Sequence, residues 1–214
     1  MIKVKRIIIL GPQGSGKDTQ SEMLSKKLKI PFFGMGDIFR REIKNKTKIG
    51  QKAASLINKG QLVPDKIALE LLEKRLGKKD TKKGFILNGF PRNINQAKML
   101  AKIVKINLVM EIHISDKEGI HRLSGRRVCP VCGATFHIKY KPSKKENVCD
   151  YCQTELVVRK DDKKEAIKKR LKIYHQRTEP VFDYYREEGL YLRINGEKPI
   201  DSVFKEIINK LKKL

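Results

Sequence analysis

Gly11-Pro-Gln-Gly-Ser-Gly-Lys17-Asp-Thr19 directly follows the apolar run Ile7-Ile-Ile-Leu10. A short β-branched run reads as a buried parallel strand, and helical periodicity begins at Thr19. The glycine-rich segment therefore lies at a strand-to-helix turn, the setting in which a GxxxxGK spacing signifies phosphate binding. Gly11, Gly14 and Gly16 let backbone N–H groups curl around an anion, and the new helix adds its positive end. Lys17 is placed to reach the outer phosphates, with Gly14, Ser15, Gly16, Asp18 and Thr19 completing the loop. An incidental glycine turn is the bland alternative, and the framing by strand and helix counts against it. Asp18 stands where the usual motif has Ser or Thr, and the hydroxyl comes one residue later, at Thr19.

Outward from this loop, strands and helices alternate. Residues 5–10 read as the first strand and 16–28 as the first helix. Pro31-Phe-Phe33 reads as a short second strand, with short helices around 37–45 and 49–59. Pro64 and Asp65 open a strong helix that stops at Gly77. Phe85-Ile-Leu87 is a buried strand, 93–104 a helix, and 107–114 another strand. Ser115 with Glu118 makes a capping box for a helix to about Arg127. The rhythm breaks over 128–160. A helix resumes near Asp161 and runs past His175 to an interruption at Glu179-Pro180; 190–194 is the last strand, and Val203, Phe204, Ile207, Ile208 and Leu211 give a final amphipathic helix. Such alternation predicts an α/β fold, a doubly wound parallel sheet with ligands beyond the carboxyl ends of its strands.

The 214 residues suit one domain with small insertions, against a norm of ~100–200 residues per domain. No apolar run approaches the roughly 20 residues that cross a bilayer. The opening Met1-Ile-Lys-Val-Lys-Arg6 runs straight into the first strand, so no signal peptide and a cytoplasmic location are expected. Net charge is +25, from 49 Lys and Arg against 24 Asp and Glu. That field favours polyanions, but the lysines are scattered along solvated faces, so specific nucleic-acid binding is not expected.

Cys129-Pro-Val-Cys132 and Cys149-Asp-Tyr-Cys152 are two CxxC pairs at zinc-ribbon spacing. Disulfides or free thiols compete with this reading, and an expected cytoplasmic setting favours the metal. Four protein ligands leave no open position, so one structural zinc per chain is expected. His137 lies between the pairs but is superfluous, and His113, His121 and His175 carry no spacing signal.

Several arginines lie beside glycine or acidic residues: Gly36-Asp37-Ile-Phe-Arg40, Asn88-Gly-Phe-Pro-Arg92 with Gln96, Arg122 with Gly125-Arg126-Arg127, and Arg159-Lys-Asp161-Asp162 with Arg170. Arginine's planar fork binds phosphate bidentately, and a set of arginines converging on phosphate chains is what phosphoryl transfer needs. With this motif order the sequence resembles adenylate kinase of the bacterial type with a long, zinc-bearing lid, over essentially the whole chain. The resemblance implies a P-loop nucleoside monophosphate kinase fold, with a core domain at 1–33, 64–124 and 163–214. It implies a small helical monophosphate-binding insertion at 34–63 and a zinc-ribbon-like lid at 125–162. It further implies monomeric action on ATP and AMP, giving two ADP, with Mg²⁺ accompanying ATP.

By the same resemblance, Lys17 and the loop 14–19 hold ATP phosphates, with Arg126, Thr135 and Phe136 on the lid side and Lys198 near the ATP base. Arg40 and Arg92 hold the AMP phosphate. Arg122, Arg159 and Arg170 close around the transferring group. Gln96 reads the adenine edge, in a pocket lined by Met35, Gln61, Leu62, Val63 and the Gly89-Phe90-Pro91 segment. Three positions depart from the family: Asn88 replaces an aspartate near the metal, Met35 a threonine, and Asp18 a glycine. Asp18 and Asp37 are the carboxylates available to compensate for Asn88. A UMP or CMP kinase is the runner-up function; a zinc-ribbon nucleic-acid binder fits the charge and cysteines but leaves the phosphate loop and arginines unexplained.

Overall fold

A computed structural model of the protein describes residues 4–58, 61–159, 162 and 164–214. The expected domain bounds at residues 1 and 163, and the helix start at Asp161, lie outside the described residues. Ile7 to Leu10 are almost wholly buried because both faces of their strand are covered. That strand, β1 (Arg6–Leu10), pairs in parallel with β3 (Phe85–Asn88) on one side and β4 (Leu108–His113) on the other. Adding β2 (Phe32–Gly34) and β7 (Tyr191–Asn195) gives a parallel sheet in the order β2-β3-β1-β4-β7. The chain leaves β1 toward one edge and later crosses to the other, which opens a crevice at the carboxyl end of β1.

Side chains alternate across β1, and each set meets its own helices. Ile7 and Ile9 pack with Leu24 of α1 (Lys17–Leu28) and Val203, Ile207 and Leu211 of α9 (Ile200–Leu211). Ile8 and Leu10 pack with α4 (Asp65–Leu76), α5 (Ile94–Ala101) and α8 (Pro180–Glu187) through residues such as Leu72, Leu100 and Phe182. Between β2 and α4 run α2 (Met35–Lys44) and α3 (Lys48–Asn58). A second sheet, β5 (Arg126–Val128) antiparallel to β6 (Thr135–His137), has its own small core of Cys129, Phe136, Cys149 and Leu156.

Two local expectations need correction. The helix from Ser115, α6 (Asp116–Ser124), ends before Arg127 because Arg126–Val128 enters β5. Its capping box is half made: Ser115 Oγ accepts from the Glu118 N–H, but Glu118 turns to Arg122, and Glu197 accepts the Ser115 N–H at 2.9 Å instead. The helix drawn through His175 ends as α7 (Lys164–Ile173), and a π-helical turn, Tyr174–Thr178, joins it to α8 with Pro180 in the first turn.

Candidate active site

The loop after β1 is shaped by close approach. A Cβ on Gly11 would stand 2.3 Å from the Ile112 carbonyl oxygen, and Gly14, at φ 84°, would set one 2.6 Å from that of Gly119. Only glycine fits either place. Gly16 leads into α1, and Lys17 arches back so that Nζ donates to the Pro12 carbonyl at 3.1 Å. Burial, with the charges of Arg92, Arg170 and Arg126 and against the pull of Asp18, brings the Lys17 ammonium down to about 8.

A cleft of about 530 Å³ opens over this loop. Gly14, Ser15, Gly16, Lys17, Asp18 and Thr19 form its floor, and Thr135, Phe136 and Arg126 come from the second sheet. Arg122 and Lys198 lie at its flank; Arg122 donates to Glu118 at 2.6 Å and to the Gly196 carbonyl at 3.0 Å. Phe136 reaches the cleft although its ring is buried beside the cysteines.

A smaller cavity of about 100 Å³ lies between α2, α4 and the carboxyl end of β3. Met35, Arg40, Gln61, Leu62, Val63, Gly89, Phe90 and Gln96 line it, whereas Pro91 sits behind the wall, buried after a cis peptide. Arg92, Arg159 and Arg170 line both spaces. Arg92 is held by its own turn, with Nε donating to the Gly89 carbonyl at 2.8 Å and its carbonyl accepting from Thr178 Oγ1 at 3.0 Å.

Asp162 carries little signal in the sequence, where it reads only as part of an acidic pair. Its carboxylate is fully buried; it accepts from Arg126 Nε at 2.7 Å, also pairs with Arg126 Nη2, and lies 3.5 Å from Arg170. It ties β5 to α7. Asp65 is similar: it reads as a helix opener, yet it accepts side-chain amides from Asn93, Asn95 and Gln96. Of the two carboxylates available to offset Asn88, Asp18 contacts its amide and Asp37 pairs with Arg40.

The four cysteine sulfurs lie within 4.8 Å of one another, with Cys129–Cys152 at 3.3 Å and Cys132–Cys149 at 3.6 Å. Four thiolates on a tetrahedral ion with metal–sulfur bonds of about 2.3 Å are about 3.8 Å apart. The cluster can hold a metal ion.

The chain is also similar to known proteins. The family model described as Adenylate kinase matches residues 9–190. The chain is 47% identical over 211 residues to the adenylate kinase of Caldicellulosiruptor bescii, covering 96% of this chain and 98% of that one. It is 46% identical over 207 residues to that of Caldanaerobacter subterraneus, covering 94% of each. To that of Finegoldia magna it is 42% identical over 213 residues, covering 97% and 99%.

Proposed function

The chain belongs to the adenylate kinase family, and from that premise we propose how its residues carry out the reversible transfer of a phosphoryl group from ATP to AMP. The protein is an ATP:AMP phosphotransferase. The observation that carries the site reading is the position of Arg92, Arg159 and Arg170 at the junction of the large cleft and the small cavity. Two phosphate chains meeting end to end need cations at that junction, because the transition state spreads charge over the transferring oxygens.

In this reading ATP occupies the large cleft, with its phosphates on the 14–19 loop and Lys17, and its far side against Arg126, Thr135, Phe136 and Lys198. AMP occupies the small cavity, with its phosphate on Arg40 and Arg92 and its base among Met35, Gln61, Leu62, Val63 and Gln96. Arg122 completes the clamp from the ATP side. No strong general base is needed, because the accepting phosphate oxygen is already anionic. Exclusion of water matters more, since an open site would hydrolyse ATP. We therefore assign 34–63 and 125–162 as moving units over a core of 1–33, 64–124 and 163–214.

Adenylate kinases use ATP with Mg²⁺, which neutralises phosphate charge when bound. The residues present fit a hydrated hard cation: Asn88 Oδ1 is buried with no hydrogen-bond partner among the described residues, and the Asp18 carboxylate lies beside the same side chain. We assign the four cysteines to one structural zinc, a closed site that builds the lid. A monomer suffices, since one chain lines both cavities, and unpaired cysteines suit the cytoplasm. Among the described residues no helix is long and apolar enough to cross a membrane. A coupled assay of ADP formation with AMP, UMP, CMP and GMP tests the acceptor assignment; AMP is expected to lead, and a faster rate with UMP or CMP overturns it.

A further inference from the structure

A side-chain amide has two orientations that fill the same space and exchange a donor for an acceptor. Both ends of the Gln96 amide meet groups that accept only one of them. Nε2 donates to Asp65 Oδ1 at 2.7 Å, and Oε1 accepts from the backbone N–H of Arg92 at 2.7 Å. A backbone N–H can only donate. Burial pushes the Asp65 carboxyl up, but hydrogen bonds from Asn95, Asn93 and Gln96 outweigh it and hold the group below its ordinary value. Asp65 is therefore ionised and can only accept. Turning the Gln96 amide over would set NH₂ against N–H and oxygen against carboxylate, in a side chain only 3% exposed. The clamp is itself braced, because Asp65 also accepts from Asn93 at 3.0 Å and from Asn95 at 2.8 Å.

After these bonds Gln96 keeps one amide hydrogen and one oxygen lone pair, on the wall of the small cavity. Adenine offers a 6-amino donor beside the N1 acceptor. Hypoxanthine and guanine reverse the order, with a 6-oxo acceptor beside an N1–H donor. An amide fixed in one orientation pairs with one of these edges and opposes the other. We propose that Asp65 is a positioning residue for base choice: with the Arg92 N–H it locks Gln96 in the orientation that pairs with adenine, and so rejects 6-oxopurine nucleotides. This rests on the reading that Gln96 meets the acceptor base.

The test compares Asp65→Ala, Asp65→Asn and Gln96→Leu with AMP, IMP and GMP as acceptors at saturating ATP and Mg²⁺. Asp65→Ala should lower the AMP-over-IMP ratio of kcat/KM about tenfold, the scale of one hydrogen bond to a charged group. The loss for AMP should appear in KM, with IMP and GMP gaining in absolute terms. Asp65→Asn should keep most of the ratio, because its oxygen still accepts from Gln96 while exposed Asn95 turns its own amide. The KM for ATP and the melting temperature control for the fold. If Asp65→Ala does not fold, Asp65→Ser, whose hydroxyl tolerates either amide orientation, carries the same expectation. A parallel loss for AMP and IMP would make Asp65 merely structural and overturn the proposal. A Gln96→Leu protein with an unchanged ratio would overturn the base contact itself; a collapsed ratio there with an unchanged one in Asp65→Ala would overturn only the lock.

Discussion

The Asn88 side-chain amide donates to the carboxylate of Asp18, joining the end of β3 to the first turn of α1. A carboxylate thus remains beside position 88 although residue 88 itself is neutral. From sequence alone, Asn88→Asp is expected to lower the Mg²⁺ requirement by restoring a charge. The contact changes that expectation, since Asn88→Asp now sets two carboxylates against each other and raises the pKa of one. Asp18→Asn should instead raise the free Mg²⁺ needed for half-maximal rate about tenfold, matching the ~1–2 kcal/mol of a charge-assisted over a neutral hydrogen bond. The swapped pair Asp18→Asn with Asn88→Asp should recover most of the loss. A Mg²⁺ titration of ADP formation on the four proteins checks this, and an Asp18→Asn protein with wild-type Mg²⁺ dependence would refute it.

Lys17 should trade stability for rate. Lys17→Ala should lower turnover at least ~10³-fold in a folded protein, through loss of preorganised charge at the phosphates. With the folded ammonium at about 8 against an ordinary 10.5, the unfolded chain binds more protons between those values, so stability rises with pH across that window. Below about 8 the cost of burying the charge is present in full. Lys17→Met should therefore melt higher than the parent near pH 7, with the advantage shrinking from pH 8 and gone above about 10.5. Melting curves at pH 7, 9 and 11 decide it.

Freshly purified protein should contain one zinc ion per chain by elemental analysis. Chelation should release hydrogen-exchange protection over residues 128–155 while leaving β1, β3 and β4 protected, because the lid core is too small to fold without its metal. Protection of the lid that survives chelation would show that the metal is dispensable there.

His175 should act as a pH-dependent brace between α6 and the π-helical turn. Its Nδ1 lies 2.8 Å from Glu179 and its Nε2 3.0 Å from Asp116, and these carboxylates, Glu179 first, raise its pKa above 6.5. A raised folded pKa means the stabilisation is complete below the unfolded value of 6.5 and is lost as pH rises through the folded one. The group is 43% exposed, so the effect is modest, no more than about 1 kcal/mol. His175→Gln should lose stability at pH 5.5 and none at pH 9, by denaturant melts at both.

What the chain determines by itself is what local spacing can encode. The phosphate loop between Leu10 and α1, the two CxxC pairs and the arginines set beside glycines are legible because each depends on residues within a few positions of one another. Strand β1 is legible for the same reason: four consecutive apolar residues leave it no exposed face. Long-range partners are not encoded this way. That Glu118 abandons its capping partner for Arg122, and that Glu197 takes the vacated N–H, depends on how β7 and α6 come together. The lock on Gln96, the burial of Asp162 between Arg126 and Arg170, and the Asn88–Asp18 contact all join residues that only the folded chain makes neighbours. A buried polar side chain gains by pairing with whatever complementary group folding brings within about 3 Å, because leaving it unpaired away from water costs more than the bond itself contributes. Tertiary structure therefore chose these partners.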